Sequence, residues 1–311
     1  MIHLRIVAPQ ELAARTLELL GGYEAVINVI CLRGVAMKPR GDVILCDVAH
    51  EDASVVLADL RHLDIPRRGS IAIEEIDTAL SAAATRAVRL AQGQPGDAVV
   101  WEEVEARTRD TASLSATFLT FAVVAAVITS VAIALDSEVL LIGGMVVGPE
   151  FGPIAGFCVA AVQRRSGLAK ESGLALTAGL LAAGAASAVA GLVLRATGTI
   201  ERVSGEGALA TLIANPDALS VVVALAAGVA GMLSLSTQKS GALIGVLVSV
   251  TTLPAASYAG LAAAYGNWEA ARGSLVQLVT NLLCIFVAGL ATLGLQRLLY
   301  ERRRKRHVRD R

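Results

Sequence analysis

Aromatic residues are scarce in this chain, with five Phe, four Tyr and two Trp among 311 residues. The four His residues stand far apart, without the spacing of metal ligands, and the four Cys residues form no CxxC pair. The sequence also lacks a Walker loop, a dinucleotide-binding fingerprint and a nucleophile–base set. We therefore expect neither an enzyme nor a protein that holds a metal or a cofactor.

Net charge is absent as well, because 27 Lys and Arg residues balance 27 Asp and Glu residues. The charged residues nevertheless crowd into positions 1–112, the connecting loops and the C-terminal tail. Between them Ala, Val, Leu and Gly dominate, which is typical of closely packed membrane helices and compatible with a homo-oligomer. The basic tail suits contact with anionic membrane lipid. No aromatic residue or motif accompanies it, so we expect no nucleic-acid partner.

The patterns predict an α+β domain followed by an all-α membrane domain. In the first part, short β patterns alternate with helical ones in the order βαββαβ, which is typical of the ferredoxin-like split unit. No signal-peptide pattern precedes it, so we expect this domain to stay in the cytoplasm. The predicted segments are a cytoplasmic domain at 1–80, a linker with a charged helix at 81–112, a membrane domain at 113–299 and a basic cytoplasmic tail at 300–311.

Six apolar runs in the membrane domain reach the ~20 residues that a helix needs to cross a bilayer. They lie at about 114–135, 138–162, 172–194, 217–236, 240–265 and 274–298. Lys and Arg concentrate after the second run, after the fourth run at Lys239, and in the tail, whereas acidic residues predominate in the other loops. The positive-inside rule then places both termini in the cytoplasm of a multi-pass protein of the cell inner (plasma) membrane.

A weak internal repeat relates the two halves of the membrane domain. When runs four to six are laid over runs one to three, Ile142 matches Ile244 and Ser172 matches Ser274. Three crossings per half would give the halves opposite orientations, so we predict a 3+3 inverted repeat, an architecture found in many secondary transporters.

Gly and Pro interrupt the second and fifth runs, and we predict that both helices are broken there. A helix break inside lipid is tolerated only where protein or water satisfies the freed backbone groups. Paired breaks therefore point to a binding site near the midplane of the membrane. The residues that we predict for this site are Gly148, Pro149, Glu150, Gly152, Pro153, Thr251, Thr252, Pro254, Gln277 and Asn281.

Glu150 is the sharpest candidate, since a charged side chain in the centre of a membrane helix costs about 2.5–3.5 kcal/mol on insertion scales. It could bind a proton or a cation, it could cap the restarting helix, or a re-entrant fold could bring it near water. Thr252 could offer its hydroxyl to a ligand or bond back to its own helix. Gln277 and Asn281 share a helix face and could line the site or join helices.

Three motifs resemble a known bacterial family. Residues 142–154, residues 239–254 and the segments around Gly266 and Thr280 resemble the family called domain of unknown function 389. The family is usually apolar between the two prolines of the first motif, where this chain has Glu150. The resemblance implies an integral membrane protein without an established activity.

Two functions remain open at the level of the sequence. The first is a transporter or channel for a small ion or polar solute, with a midplane site between runs two and five. The second is a membrane scaffold or sensor that transports nothing and whose cytoplasmic domain binds a ligand or a partner. The paired breaks favour the first, and the abundant small residues suit either.

Overall fold

The computed structural model describes residues 1–76, 81–90, 101–198, 207–215, 217–236 and 241–309. The chain divides into two compact units, one formed by Met1–Val104 with Arg302–Arg311 and the other by Glu105–Glu301. The elements of the first unit are β1 (Ile2–Ala8), α1 (Gln10–Gly21), β2 (Val26–Met37), β3 (Arg40–Val48), α2 (His50–His62), α3 (Ile65–Arg68), β4 (Ser70–Glu75) and α4 (Ala82–Leu90).

The first unit contains a four-stranded sheet with the order β2-β3-β1-β4, in which all neighbouring strands are antiparallel. Side chains on one face of β1, such as Ile2, Leu4 and Ile6, are fully buried, and those on the other face are not. This alternation follows from the two-residue period of a strand and leaves one face of the sheet to the core. An α+β organisation of the N-terminal part is thus confirmed. The short helix α3 was not predicted.

The second unit is helical. Its elements are α5 (Trp101–Thr111, which begins in the first unit), α6 (Ala116–Ala134), α7 (Glu138–Val147), α8 (Phe151–Gln163), α9 (Ser166–Ala196), α10 (Ala208–Ala214), α11 (Ala218–Ser236), α12 (Gly241–Ala264) and α13 (Trp268–Arg309). Of these, α6, α9, α11 and α13 are long and apolar enough to cross a membrane, and the bent pair α7 and α8 makes a fifth candidate. The sixth crossing would be α12, part of which lies outside the fully described residues, so six crossings stay a prediction.

The prediction that the fifth membrane helix is broken is wrong. Helix α12 runs without interruption from Gly241 to Ala264, with Pro254 inside it. A single proline removes one backbone hydrogen bond, and membrane helices tolerate this loss when neighbouring helices pack around it. Pro254 is buried, and its neighbours Leu253 and Ala255 are almost completely buried. Packing on all sides therefore keeps this helix whole.

The loop predicted between the third and fourth runs also differs from expectation, because it contains the short helix α10. This helix is apolar, and its Leu209, Ala210 and Ile213 are buried. The loop is therefore folded against the helices where the structure describes it, at residues 207–215.

Small residues bring the long helices into close contact. A Cβ atom on Gly260 of α12 would overlap the carbonyl oxygen of Gly184 on α9, and one on Gly191 would lie 2.9 Å from the Cβ of Ala264. Because the residue numbers of the contacting residues increase along both helices, α9 and α12 run in the same direction. Helix α6 follows α9 in the same sense, since Phe118 faces Gly179 and the Ser187 hydroxyl donates to the Ala126 carbonyl at 3.4 Å.

Candidate functional site

The helix break predicted in the second membrane run is confirmed. Helices α7 and α8 meet at an angle of 50°. Helix α7 ends at Gly148, whose backbone is extended (φ −62°, ψ 129°), because the residue before a proline is disfavoured in the helical region. Helix α8 restarts after Glu150, and Pro153 lies in its first turn, where a missing N–H is harmless.

Glu150 lies at this break and is almost entirely inside the protein, with 2% of its surface exposed. Its side chain folds back over Gly148. A Cβ atom on Gly148 would lie 2.5 Å from Oε2 and 3.1 Å from Oε1 of Glu150. Only glycine leaves room for the carboxylate in this position. The fold therefore holds an acidic group within the bundle, although burying such a group away from water is costly.

Helix α12 passes the break at the level of Thr252. Its Leu253 shares one buried cluster with Val147, the last residue of α7, and with Ala125 and Ala126 of α6. Thr252 is fully buried beside Leu253. The predicted pairing of the second and fifth runs thus holds as a packing contact, although only one of the two is broken. The side chain of Thr251 lies outside the described residues.

The two amide side chains of the predicted site lie on α13 and bond to each other. Nε2 of Gln277 donates to Oδ1 of Asn281 at 3.4 Å. Gln277 is 6% exposed and Asn281 is 1% exposed, so both amides are inside the bundle. Tyr258 of α12 and Leu278 of α13 belong to one buried cluster, which also contains Met145 of α7. The three helices that carry the predicted residues are therefore neighbours.

The predicted residues lie at similar depths along the bundle. At 1.5 Å per residue, Val147 lies about 14 Å from the start of α7 at Glu138. Thr252 lies about 18 Å from the end of α12 at Ala264. Gln277 and Asn281 lie about 14 and 20 Å from the start of α13 at Trp268. Leu141, Ala262 and Ala271, near those three helix ends, share one cluster, so the depths are measured from the same end of the bundle.

Glycines at the start of α8 fit it closely against its neighbours. A Cβ atom on Gly152 would overlap the carbonyl oxygen of Thr111, which ends α5. A Cβ atom on Gly156 would overlap the hydroxyl of Ser172 on α9 and lie 2.7 Å from Ala112. Gly152 therefore serves packing in this structure, and Gly148 is the glycine that adjoins the carboxylate.

The far end of α8 is held by residues that sequence reasoning missed. Arg297 of α13 donates to the Val162 carbonyl and pairs with Glu301 at 3.2 Å. Glu105 of α5 pairs with Arg109 at 3.3 Å and with Arg165 at 3.7 Å. An arginine within an apolar run, as Arg297 is, was the available signal, because such a residue needs a buried partner or a route to water.

The buried groups of this region that could bind a ligand are a carboxylate, a hydroxyl and two amides. They belong to Glu150, to Thr252, and to Gln277 and Asn281, respectively. Among the described residues, no group of three or more His, Cys, Asp or Glu side chains could hold a metal ion. Hydroxyl, amide and single carboxylate oxygens are ligands for hard monovalent cations, for protons and for polar solutes.

The fold and this region define a protein with several helices able to cross a membrane and a carboxylate at a helix break. Residues 145–287 match the model of the family described as Domain of unknown function (DUF389). The predicted resemblance is thereby confirmed: residues 145–287 are similar to this family.

A protein of Methanocaldococcus jannaschii, described as uncharacterized, is 26% identical to the chain over 187 residues. The matched segment covers 60% of this chain and 56% of that relative, so the chain spans little more than half of the relative's length. No solved structure is significantly similar to the chain.

Proposed function

We propose that this chain is a multi-pass membrane protein that moves a small cation, a proton or a small polar solute through a site at the α7–α8 break. One observation carries the proposal, namely the buried Glu150 carboxylate at the break, at the depth of Thr252, Gln277 and Asn281. An acidic side chain within membrane helices commonly marks an ion or proton pathway. Polar groups on facing helices at one depth are the usual composition of such a site.

The arrangement of the helices supports two inverted halves. The first half would begin with α6 and the second with α11. Three crossings, by α6, the α7–α8 pair and α9, precede α11, so α11 would run opposite to α6. An inverted repeat places substrate sites at the interface of the halves, near the midplane. The contact of Val147 with Leu253 joins the second crossing of one half to the second crossing of the other.

In this proposal the N-terminal unit is a cytoplasmic regulatory domain. Read from its other edge, the sheet has the order β4-β1-β3-β2 with antiparallel neighbours, which supports the ferredoxin-like arrangement. With an even number of crossings, both termini lie on one side of the membrane. The Arg and Lys residues that follow α8 favour the cytoplasm as that side.

Flux in proteoliposomes tests the transport proposal. The protein is reconstituted and the movement of protons, Na⁺, K⁺ and small polar solutes is followed for the unaltered chain and for Glu150→Gln. The substitution keeps the size of the side chain and removes its charge, so we expect at least a tenfold loss of flux for the transported species, in line with the loss of one essential group. Equal leak from both proteins for every species would refute the proposal.

A second pair of variants separates the site from general damage. In Gly148→Ala the new methyl group meets the Glu150 carboxylate, so we expect the side chain to shift and the flux to fall. Gly143→Ala adds a methyl group in the same helix where no atom lies within 4 Å, and we expect unchanged flux. Equal activity of both variants would show that the position of the carboxylate is unimportant.

One observation favours the scaffold or sensor alternative. Strand β2 lies at an edge of the sheet and exposes large apolar side chains, among them Ile30 (51%), Val35 (54%) and Met37 (76%). Exposed apolar patches of this kind often contact partners. Water access decides between the two functions: a thiol introduced by Thr252→Cys that stays unreactive from both sides of the membrane would favour the scaffold.

A further inference from the structure

The short helix α10 is wedged between the ends of the longer helices. Leu209, Ala210 and Ile213 are its buried residues. They share one apolar cluster with Ile133 at the end of α6 and with Leu141 near the start of α7. The same cluster includes residues of α12 and α13. Helix α10 therefore fills the space between four helices at one end of the bundle.

A single carboxylate holds the N-terminal end of α10. Asp136 lies in the turn between α6 and α7, where its Oδ1 accepts the Leu209 N–H at 2.9 Å and its Oδ2 accepts the Ala208 N–H at 3.2 Å. These two N–H groups belong to the first turn of α10 and have no acceptor within the helix. Asp136 thus acts as the N-terminal cap of a helix that lies far away in the sequence.

The turn geometry sets this carboxylate in place. Asp136 has a left-handed backbone (φ 51°), which Asp tolerates better than most residues. Gly207, the residue before α10, approaches the carboxylate so closely that a Cβ atom there would lie 3.3 Å from Oδ1. At the other end of α10, a Cβ atom on Gly273 of α13 would overlap the Ala214 carbonyl oxygen. Both ends of the short helix are therefore fitted to the bundle.

The cluster under α10 continues to the candidate site. Its members Met145 and Ala255 lie two residues from Val147 and one residue from Pro254, which are at the depth of the site. The members of this cluster are hydrophobic residues. The buried polar residues Ser257, Ser274 and Gln277 lie at similar depths but are not members of it. A water-filled route from the α6–α7 turn to Glu150 through this cluster requires that α10 move.

We infer that α10 is a plug that closes the Glu150 site toward the side of the α6–α7 turn, and that the Asp136 cap latches it. This deepens the proposed function by naming the gate of the same site. Because the latch consists of two hydrogen bonds to one carboxylate, replacing Asp136 frees α10 without altering the apolar contacts beneath it. The Asp136→Asn variant retains one acceptor oxygen and keeps part of the latch.

Thiol modification tests the plug without any transported solute. The four native cysteines are replaced by Ser or Ala, and Thr252→Cys is introduced as a reporter in sealed vesicles. The rate of reaction with a membrane-impermeant thiol reagent is measured from each side. Loss of a helix cap raises the ratio of open to closed plug by up to roughly tenfold, so we expect Asp136→Ala to raise the rate by about that factor from the α6–α7 turn side alone. We expect Asp136→Asn to fall between.

Two further variants make the result decisive. Glu138→Ala removes a negative charge two residues from Asp136, at the first residue of α7. Glu138 is exposed and makes no contact with α10 that the structure records, so the rate should not change. Ile213→Ser loosens the buried side of α10 from another direction and should raise the rate as Asp136→Ala does. Equal rates in all folded variants, an equal rise from both sides, or fast reaction before any change at Asp136 would overturn the plug.

The outcome is separable from that of the flux experiments. If Asp136→Ala raises the thiol reaction rate from one side while no flux is found for any solute, the plug stands and the transport proposal fails. If flux depends on Glu150 while Asp136→Ala leaves the thiol rate unchanged, transport stands and the plug fails. Thermal unfolding of each detergent-solubilised variant confirms that the comparison is made on folded protein.

Discussion

Individual residues provide the space or the hydrogen-bond partner that polar groups need inside the second unit. Gly148 leaves room for the Glu150 carboxylate, and the Asn281 amide accepts from Gln277 within α13. Asp136 satisfies two N–H groups of α10. In each case a polar side chain has a local partner or a local space, because an unsatisfied polar group inside a membrane protein is costly.

His50 makes the stability of the first unit depend on pH. Burial lowers the pKa of His50 at the start of α2, and the N-terminal amine lowers it further, whereas Glu75 and Glu51 act in the opposite direction. The folded chain therefore binds this proton less readily than the unfolded chain. The contribution of neutral His50 to the stability of the first unit should be fully present above pH 6.5, the ordinary pKa, and should decline as the pH falls below it.

Hydrogen exchange of β1 and β3, corrected for the intrinsic effect of pH, measures this decline. The decline should be smaller in His50→Gln, which cannot take up the proton. His62→Gln removes an exposed imidazole from the other end of the same helix and should behave as the unaltered chain does. A decline of the same size in His50→Gln would show that other groups cause it.

At the scale of elements, two proline-containing helices behave differently. Residues 148–153 contain two prolines and two glycines, and the chain bends by 50° between α7 and α8. Helix α12 contains one proline after Leu253 and stays continuous. A single missing N–H is tolerated, whereas an extended residue before proline together with a nearby second proline ends a helix.

The crossing of α9 and α12 should be the least tolerant contact of the bundle. In Gly260→Ala the added methyl group meets the Gly184 carbonyl oxygen, and neither backbone can yield without separating the helices. We expect a loss of stability of about 1–3 kcal/mol, as for other overpacked interiors. Thermal unfolding in detergent measures the loss.

A glycine in open surroundings supplies the matched control. Gly173→Ala places a methyl group on α9 where no atom lies within 4 Å. Removing a helical glycine there should leave the protein unchanged or stabilise it by up to about 1 kcal/mol. Similar unfolding temperatures for Gly260→Ala and Gly173→Ala would show that the helices are free to separate at this crossing.

At the scale of the whole molecule, the lengths of the helices suit a bilayer. The 19 residues of α6 span about 28 Å, close to the ~30 Å of hydrocarbon in a membrane. Arg164 and Arg165 follow α8, whereas Asp136 and Glu138 follow α6 at the opposite end of that helix pair. The end with Arg164 and Arg165 is the one that we propose for the cytoplasm, although Arg195 lies at the opposite end, where it donates to the Ala264 carbonyl.

Labelling of single cysteines tests this topology. We expect Glu138→Cys to react with an impermeant thiol reagent added outside intact cells, because it is the first residue of α7 and adjoins the α6–α7 turn. Ser166→Cys, at the first residue of α9, should react only after the membrane is made permeable. Both residues are exposed, so neither substitution disturbs packing. Reaction of both from the same side would contradict the proposed crossings.

Much of the architecture could be predicted from local patterns. The strands β1 and β3, the turn between β2 and β3, and the apolar helices α6, α9, α11 and α13 were predicted because each follows from periodicity or length. The break at Gly148 and Pro149 was predicted because proline chemistry acts locally. The unbroken course of α12 was not, since the packing around Pro254 involves residues far away in the sequence.

The sequence by itself determined which segments are apolar, where the α7–α8 break falls, and that one acidic residue stands in it, because all three depend on neighbouring residues alone. Only the tertiary structure decided that the Glu150 carboxylate folds over Gly148, that Thr252 and the Gln277–Asn281 pair lie at its depth, and that Asp136 caps α10. The first of these is a contact between residues two positions apart, whose geometry depends on the backbone at the break. The others relate residues on different helices, and such contacts are set by how whole helices pack against each other.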